Sequence, residues 1–302
     1  PPPPSSTVGI DLGTTFSAVA VFDDGEITVI PSAYGSTILP SVVFVPDNGS
    51  DPILTGDRAR PAAAAAPGTL VYDAKRLIGK AYDPTRTPDE ARGLPFEVVA
   101  AAPREWDGLP PPPKSAPPSP RPSAEARLQV WAGGQRVLLA PEEVGALVIR
   151  ELKGAAEAHV GRPVTQAVLA VPVGFGASQI AATRRAAHLS GLEVLRMIHE
   201  PTAAAMAYGL HNQAHALTVM VYDLGGGTLD VSLLNLNNGI FEVMAAAGDN
   251  RLGGQDFSAA LLERILSDVA ARMPGTDIRG DAEVMRELRE EAERIKARRM
   301  PV

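Results

Sequence analysis

The 302-residue chain has no cysteine, which excludes disulfides, thiolate metal sites and a cysteine nucleophile together. A surplus of positive charge is also missing. The 28 Lys and Arg face 35 Asp and Glu, a formal balance of −7 with no basic block, which argues against a nucleic-acid backbone or an anionic membrane as the main partner. No apolar run reaches about 18 residues, so no membrane-spanning helix is expected. The first residue is Pro1 instead of Met, which leaves an upstream targeting segment open. At about 150 residues per domain, the length predicts roughly two domains.

Proline is abundant in only two places. Of 28 prolines, four open the chain and nine lie between Pro103 and Pro122. The window 103–122 has no apolar periodicity and, at each proline, no backbone donor, so a polyproline or disordered insertion is expected. A ligand for proline-reading modules is the functional alternative.

A unit of strand, turn, strand and strand occurs twice. Val8-Gly9-Ile10 runs into Asp11-Leu12-Gly13-Thr14-Thr15 and out through Phe16 to Phe22; Val219 to Tyr222 runs into Asp223-Leu224-Gly225-Gly226-Gly227-Thr228 and out to Leu234. A third strand follows each copy, at Ile27 to Ile30 and at Ile240 to Met244. Between the copies lie a helix from Pro141 to about Gly161, a strand Ala167–Val171, a helix from about Ser178 to Gly191, a strand Val194–Ile198 and a short helix Thr202–Tyr208. After the second copy, helices are expected up to about Met273 and over 281–299. Alternating strands and helices predict α/β layers with partly parallel sheets.

Glycine-rich turns leave several backbone N–H groups pointing one way and admit a phosphate without an intervening Cβ. Asp11 and Asp223, each just before a turn, would repel phosphate directly, so they make sense with a hydrated divalent cation between. Asp230 and Glu200 are further acid candidates near strand ends. Lys75-Arg76, taken alone, reads as a solvated helix end. His188 and His199 lack ligand-spaced partners and read as packing or surface histidines, while Met206, Met220 and Met244 sit in apolar runs and read as core.

The runs VGIDLGTTFS, YDAKRLIGK, AVLAVP, EPTAAAMAYGL, YDLGGGTLDVSLL and AGDNRLGGQDF, in this order and spacing, resemble the ATPase domain of the seventy-kilodalton heat-shock protein family. The resemblance implies an α/β, actin-like ATPase fold of two duplicated lobes around a nucleotide cleft. On it, residues 1–6 form a proline-rich tail, 7–211 the first lobe with its insertion at 103–122, and 212–302 a second lobe that stops short, C-terminally truncated. ATP or ADP with Mg²⁺ would be the ligands. By this resemblance the catalytic set is Lys75, Asp223, Asp230 and Thr228. Nucleotide contacts fall on Gly13, Thr14, Thr15, Phe16, Gly225, Gly226, Gly227, Glu293 and Lys296. The acids on the Mg²⁺ side, acting mostly through water, are Asp11, Glu200 and Asp223.

Two departures from the family pattern stand out. Ile180 occupies the position of an arginine that works with Pro172 to report nucleotide state, and Ala297 stands where a stacking arginine is usual. The resemblance covers no peptide-binding domain, so the implied partners are nucleotide, co-chaperones and exchange factors, with no client site of the chain's own. Within the family, LGGQDF, AYGLH and GTLDVSLLN are most like a microsomal member, which implies the endoplasmic reticulum lumen, with the cytoplasm as alternative. Asn48-Gly49-Ser50 is a glycosylation sequon usable in that lumen. A catalytically silent nucleotide-binding or interaction module, and a sugar or acetate kinase of the same fold, remain open as other readings.

Overall fold

The computed structural model describes all residues except 1–5, 24, 92–93, 105, 107–122, 211–214, 250, 274, 276–277 and 300–302. Most of the proline-rich insertion, the proline tail and the expected lobe boundary at residue 211 therefore lie outside the described residues.

In chain order the elements begin with β1 (Ser6–Asp11), β2 (Phe16–Asp23), β3 (Glu26–Val29), β4 (Leu39–Pro40), β5 (Val43–Pro46), β6 (Leu54–Thr55), α1 (Ala59–Ala65) and β7 (Gly68–Val71). Next come α2 (Thr87–Glu90), β8 (Glu97–Ala101), β9 (Glu125–Ala132), β10 (Gln135–Leu139), α3 (Pro141–Val160), β11 (Val164–Val171), α4 (Ala177–Leu189), β12 (Glu193–His199) and α5 (Glu200–Ala207). The last are β13 (Leu217–Leu224), β14 (Leu229–Asn237), β15 (Ile240–Asp249), α6 (Gly254–Arg272) and α7 (Ala282–Arg299). They form two compact units, Pro1–Val221 with Ser232–Ala246, and Tyr222–Val231 with Ala247–Val302.

In the first unit the main sheet has the order β12-β11-β1-β2-β3, with β4 pairing β2. β1 runs parallel to β11 and antiparallel to β2, and β11 runs parallel to β12, so the sheet is mixed. In that register Ile10 pairs with Leu169 on one side and Val19 on the other. Parallel neighbours need a crossover. α3 and α4 supply theirs, packing Val144, Val148, Ile149, Leu152, Ala186 and Ala187 into the same core as Val8, Ile10, Val19, Leu169 and Val194.

The end signals of α3 are local. Pro141 opens it, Glu142 and Glu143 occupy its positive first turn, and Glu143 Oε2 accepts the Ala140 N–H at 2.8 Å. Gly161, at φ 66°, ends it in the left-handed conformation that glycine enters without strain. Two further sheets, β6-β5-β7 and β10-β9-β8, belong to this unit.

β13, β14 and β15 lie side by side, and one face of their sheet packs Leu234, Leu236, Val219, Val221 and Val243 against Ala205 of α5. This arrangement corrects the core reading of three methionines. Met220 and Met244 are 65% and 57% exposed, because strand alternation turns them away from their buried neighbours, and Met206 is 42% exposed on α5. In the second unit, α6 and α7 meet through Leu262, Leu266, Met285 and Ala292. Among the described residues, no helix is long and apolar enough to cross a membrane.

His199 is exposed, whereas burial, with Arg184 nearby, holds the His188 imidazole below its ordinary pKa of 6.5. The unfolded chain then binds the proton more readily than the native one. Stability should thus be level above pH 6.5 and fall as pH drops through that value towards the depressed native pKa. Urea midpoints followed from about pH 8 down to about pH 5 should show this fall, and His188→Gln should flatten it. Leu169→Ala, at a fully buried position of the central sheet, should cost about 2–5 kcal/mol by the same measurement.

Candidate functional site

The turn from β1 into β2 carries Leu12 to Thr15, and crowding of its backbone dictates its sequence. A Cβ on Gly13 would lie 2.0 Å from the Phe16 carbonyl oxygen, so only glycine fits. The glycine is therefore required by the turn itself, before any ligand is considered. Gly13 N–H donates to Ser17 Oγ at 3.2 Å, and Ser41 Oγ donates to the Gly13 carbonyl at 2.8 Å. With Ser41's proton used there, Ser17 donates to Ser41 Oγ at 2.8 Å and closes a ring of hydrogen bonds. Ser41 N–H also bonds the Thr15 carbonyl at 2.8 Å. The Gly13 amide is thus engaged inside the protein.

Lys75 sits on a single 3₁₀ turn, Ala74–Arg76, entered through Asp73 at φ 56°. Its side chain is only 10% exposed, which overturns the solvated helix end read from its spacing alone. Nζ donates to Glu200 Oε1 at 2.8 Å and lies 5.7 Å from the centre of the Phe175 ring. Glu200 is the first residue of α5, followed by Pro201, so its carboxylate also occupies a helix's positive end. Gly79, at φ 65°, brings the following turn onto the start of α4, where a Cβ would meet the Ser178 carbonyl at 2.5 Å. Lys75, Gly13, Thr14 and Ser41 line one cavity of about 20 Å³, room for a water molecule. The fold thereby brings Gly13, Thr14, Lys75 and Glu200 into one neighbourhood. Asp11 is exposed at the end of β1.

The second turn belongs to the other unit. Gly225 N–H bonds the Thr228 carbonyl at 2.8 Å, and the carbonyls of Gly225 and Gly226 accept from Gly254 N–H at 2.9 Å and Gln255 N–H at 2.7 Å. The turn therefore caps α6. A Cβ on Gly253 would fall 2.5 Å from Gly227 N, so this contact also demands glycine. Lys296 Nζ, from α7, donates to the Gly254 carbonyl at 2.9 Å and to Glu293 Oε2 at 2.8 Å, while Ser258 Oγ donates to the same carboxylate at 2.6 Å. Glu293 and Lys296 thus reach the base of the helix that the Gly225–Thr228 turn carries. Asp223 is exposed, and Asp230 is half-buried on β14.

No group of three His, Asp or Glu ligands occurs among the described residues. In the first unit, Asp11 is exposed and Glu200 shares its charge with Lys75, a donor set that suits a cation keeping its waters, as Mg²⁺ does. Ser17, Ser41, Phe175 and Gly253 were not singled out from sequence. Only the glycine carried a local signal, the pair Gly253-Gly254 ahead of a helix.

The described residues thus combine a mixed α/β fold, two glycine turns at strand ends and a paired, mostly buried lysine beside one of them. A family model described as Hsp70 protein matches residues 7–106 and 120–299, passing over 107–119 in the proline-rich insertion. Heat shock 70 kDa protein BIP3 of Oryza sativa subsp. japonica is 42% identical over 292 residues, 96% of this chain and 40% of the rice protein. The chain belongs to the Hsp70 family, and its mixed α/β architecture is that family's actin-like ATPase fold. It spans 40% of the length of the rice relative.

The hydroxyl ring gives a direct test. Ser41→Ala leaves the Gly13 carbonyl and the Ser17 hydroxyl without their partner in a site that is buried at both serines. It should lower stability by about 1–3 kcal/mol in chemical denaturation.

Proposed function

We propose that the chain is a chaperone-type core that binds Mg-ATP and hydrolyses it to ADP and phosphate. The observation carrying this reading is Lys75, a mostly buried ammonium held by Glu200 and the Phe175 ring at the edge of the Gly13-Thr14 turn. Phosphoryl transfer to water needs little covalent help, so a fixed cation and aligned N–H groups aimed at developing charge supply most of what the protein must provide. Thr14, Thr15, Phe16, Gly226, Gly227 and Thr228 would cradle phosphate oxygens, and Glu293 with Lys296 would border the adenosine. Asp11, Asp223 and Glu200 would hold a hydrated Mg²⁺, which neutralises phosphate charge when bound. Asp223 and Asp230 would orient the attacking water, and Lys75 would meet the charge that grows in the transition state.

Membership of the Hsp70 family supports co-chaperones and nucleotide-exchange factors as partners. The runs LGGQDF, AYGLH and GTLDVSLLN resemble the microsomal stress-seventy ATPase core protein, a member without a peptide-binding domain, and support the endoplasmic reticulum lumen as the compartment. Ile180, in place of the family's arginine, favours weak communication of nucleotide state beyond this core.

Lys75→Ala should lower single-turnover ATP hydrolysis by about 10²–10³-fold while nucleotide affinity stays within about tenfold, because the lost donor acts on the transition state. Equal loss of binding and turnover would instead make Lys75 a ground-state contact, and an unchanged rate would remove Lys75 from the hydrolytic step. Titration of ATP with excess EDTA should weaken binding relative to titration with Mg²⁺. Gly253→Ala should weaken ATP binding in calorimetry without unfolding the chain, since the added methyl displaces the Gly227 amide.

A further inference from the structure

We infer that Asn48 is an acceptor for an N-linked oligosaccharide, a site that rests on the lumenal reading of the compartment. Asn48-Gly49-Ser50 is the one Asn-X-Ser/Thr triplet in the chain. It lies in the turn between β5 and β6, where Asp47 to Ile53 are all exposed.

The turn is anchored from below and open above. Asp47 N–H donates to the Pro67 carbonyl at 3.1 Å, and Gly133 N–H, from the hairpin between β9 and β10, donates to the Asp47 carbonyl at 2.6 Å. Gly49 has φ 67°, and a Cβ there would lie 2.8 Å from Gly133 Cα, so backbone packing alone accounts for the middle residue of the triplet. Asn48 is accounted for as well, since its Oδ1 accepts Ser50 N–H at 3.2 Å and Asp51 N–H at 3.1 Å, an Asx turn. Ser50 is different. Its hydroxyl makes no hydrogen bond among the described residues and is solvent-exposed, so the fold has no use for it. The modification does, because the hydroxyl at that position is what completes the acceptor sequence.

The turn also tolerates the product. Asn48 Nδ2 has two protons, and one of them donates to Asp51 Oδ2 at 2.8 Å. Transfer from a lipid diphosphate oligosaccharide forms the bond from Nδ2 to the sugar's anomeric carbon and breaks that carbon's bond to the phosphate oxygen. The lipid diphosphate leaves, and one amide proton passes to a base of the transferase. A single N–H remains to keep the Asp51 bond, and Oδ1 keeps both of its donors. The glycan then projects from an exposed turn whose two bonds to Asn48 Oδ1 stay in place.

The test is translation of the full chain, behind a cleavable secretion signal, in the presence of endoplasmic reticulum microsomes. Protease-protected chains should include a slower-migrating species that N-glycosidase collapses. Asn48→Gln and Ser50→Ala should each abolish it, and Ser50→Thr should retain it. Ser50→Ala should keep the parent's melting temperature, so loss of the shift reports the acceptor and not the fold. Protected chains without a glycosidase-sensitive shift would overturn the proposal. Because the added signal imposes entry, this outcome is independent of the compartment reading, which fractionation of cells expressing the natural protein tests separately.

Discussion

The first unit turns on a place where a side chain has no room. At Gly13 the chain reverses so tightly that the Phe16 carbonyl occupies the space a Cβ would need. The compact reversal lets Ser17 and Ser41 close hydrogen bonds on both polar atoms of the glycine backbone, and it keeps β1 and β2 adjacent in the register that stacks Val8, Ile10, Val19 and Val21 into one core. Rigidity at the turn and packing of the sheet are therefore the same constraint. The second unit repeats the principle with different partners, since the Gly225–Thr228 turn is held by the amides that open α6 instead of by hydroxyls.

Lys75 and Glu200 are 125 residues apart in sequence and 2.8 Å apart in the fold. A pair this poorly solvated adds little net stability, because desolvation of both charges offsets much of their attraction. Its value is positional. The 3₁₀ turn, the Gly79 contact with α4 and the Phe175 ring restrict where the ammonium can go, the preorganisation that the role proposed for Lys75 would require.

Much of this was legible beforehand, and for local reasons. The ends of α3 were readable because Pro141, the two glutamates and Gly161 act through backbone conformation and the helix dipole at their own positions. Repetition of the Asp-Leu-Gly turn exposed the duplication, alternation located β2, and apolar runs located β1, β11 and β12. Apolar runs misled at Met220 and Met244. An apolar residue in an apolar strand looks like core from either face, and only the packing of α5 against Val219 and Val221 distinguishes the two.

The sequence by itself determined the strands beside the two glycine turns, the helices and strands from Pro141 to Tyr208, and the acids at the turns, since each depends on residues within a few positions of one another. Tertiary structure decided the rest. That Lys75 is buried against Glu200 and Phe175, that Ser17 and Ser41 brace Gly13, and that Gly253 abuts Gly227 are contacts between segments brought together only when the sheets and helices pack. No local pattern encodes such contacts, because the free energy that selects them belongs to the whole core and not to the residues that happen to meet.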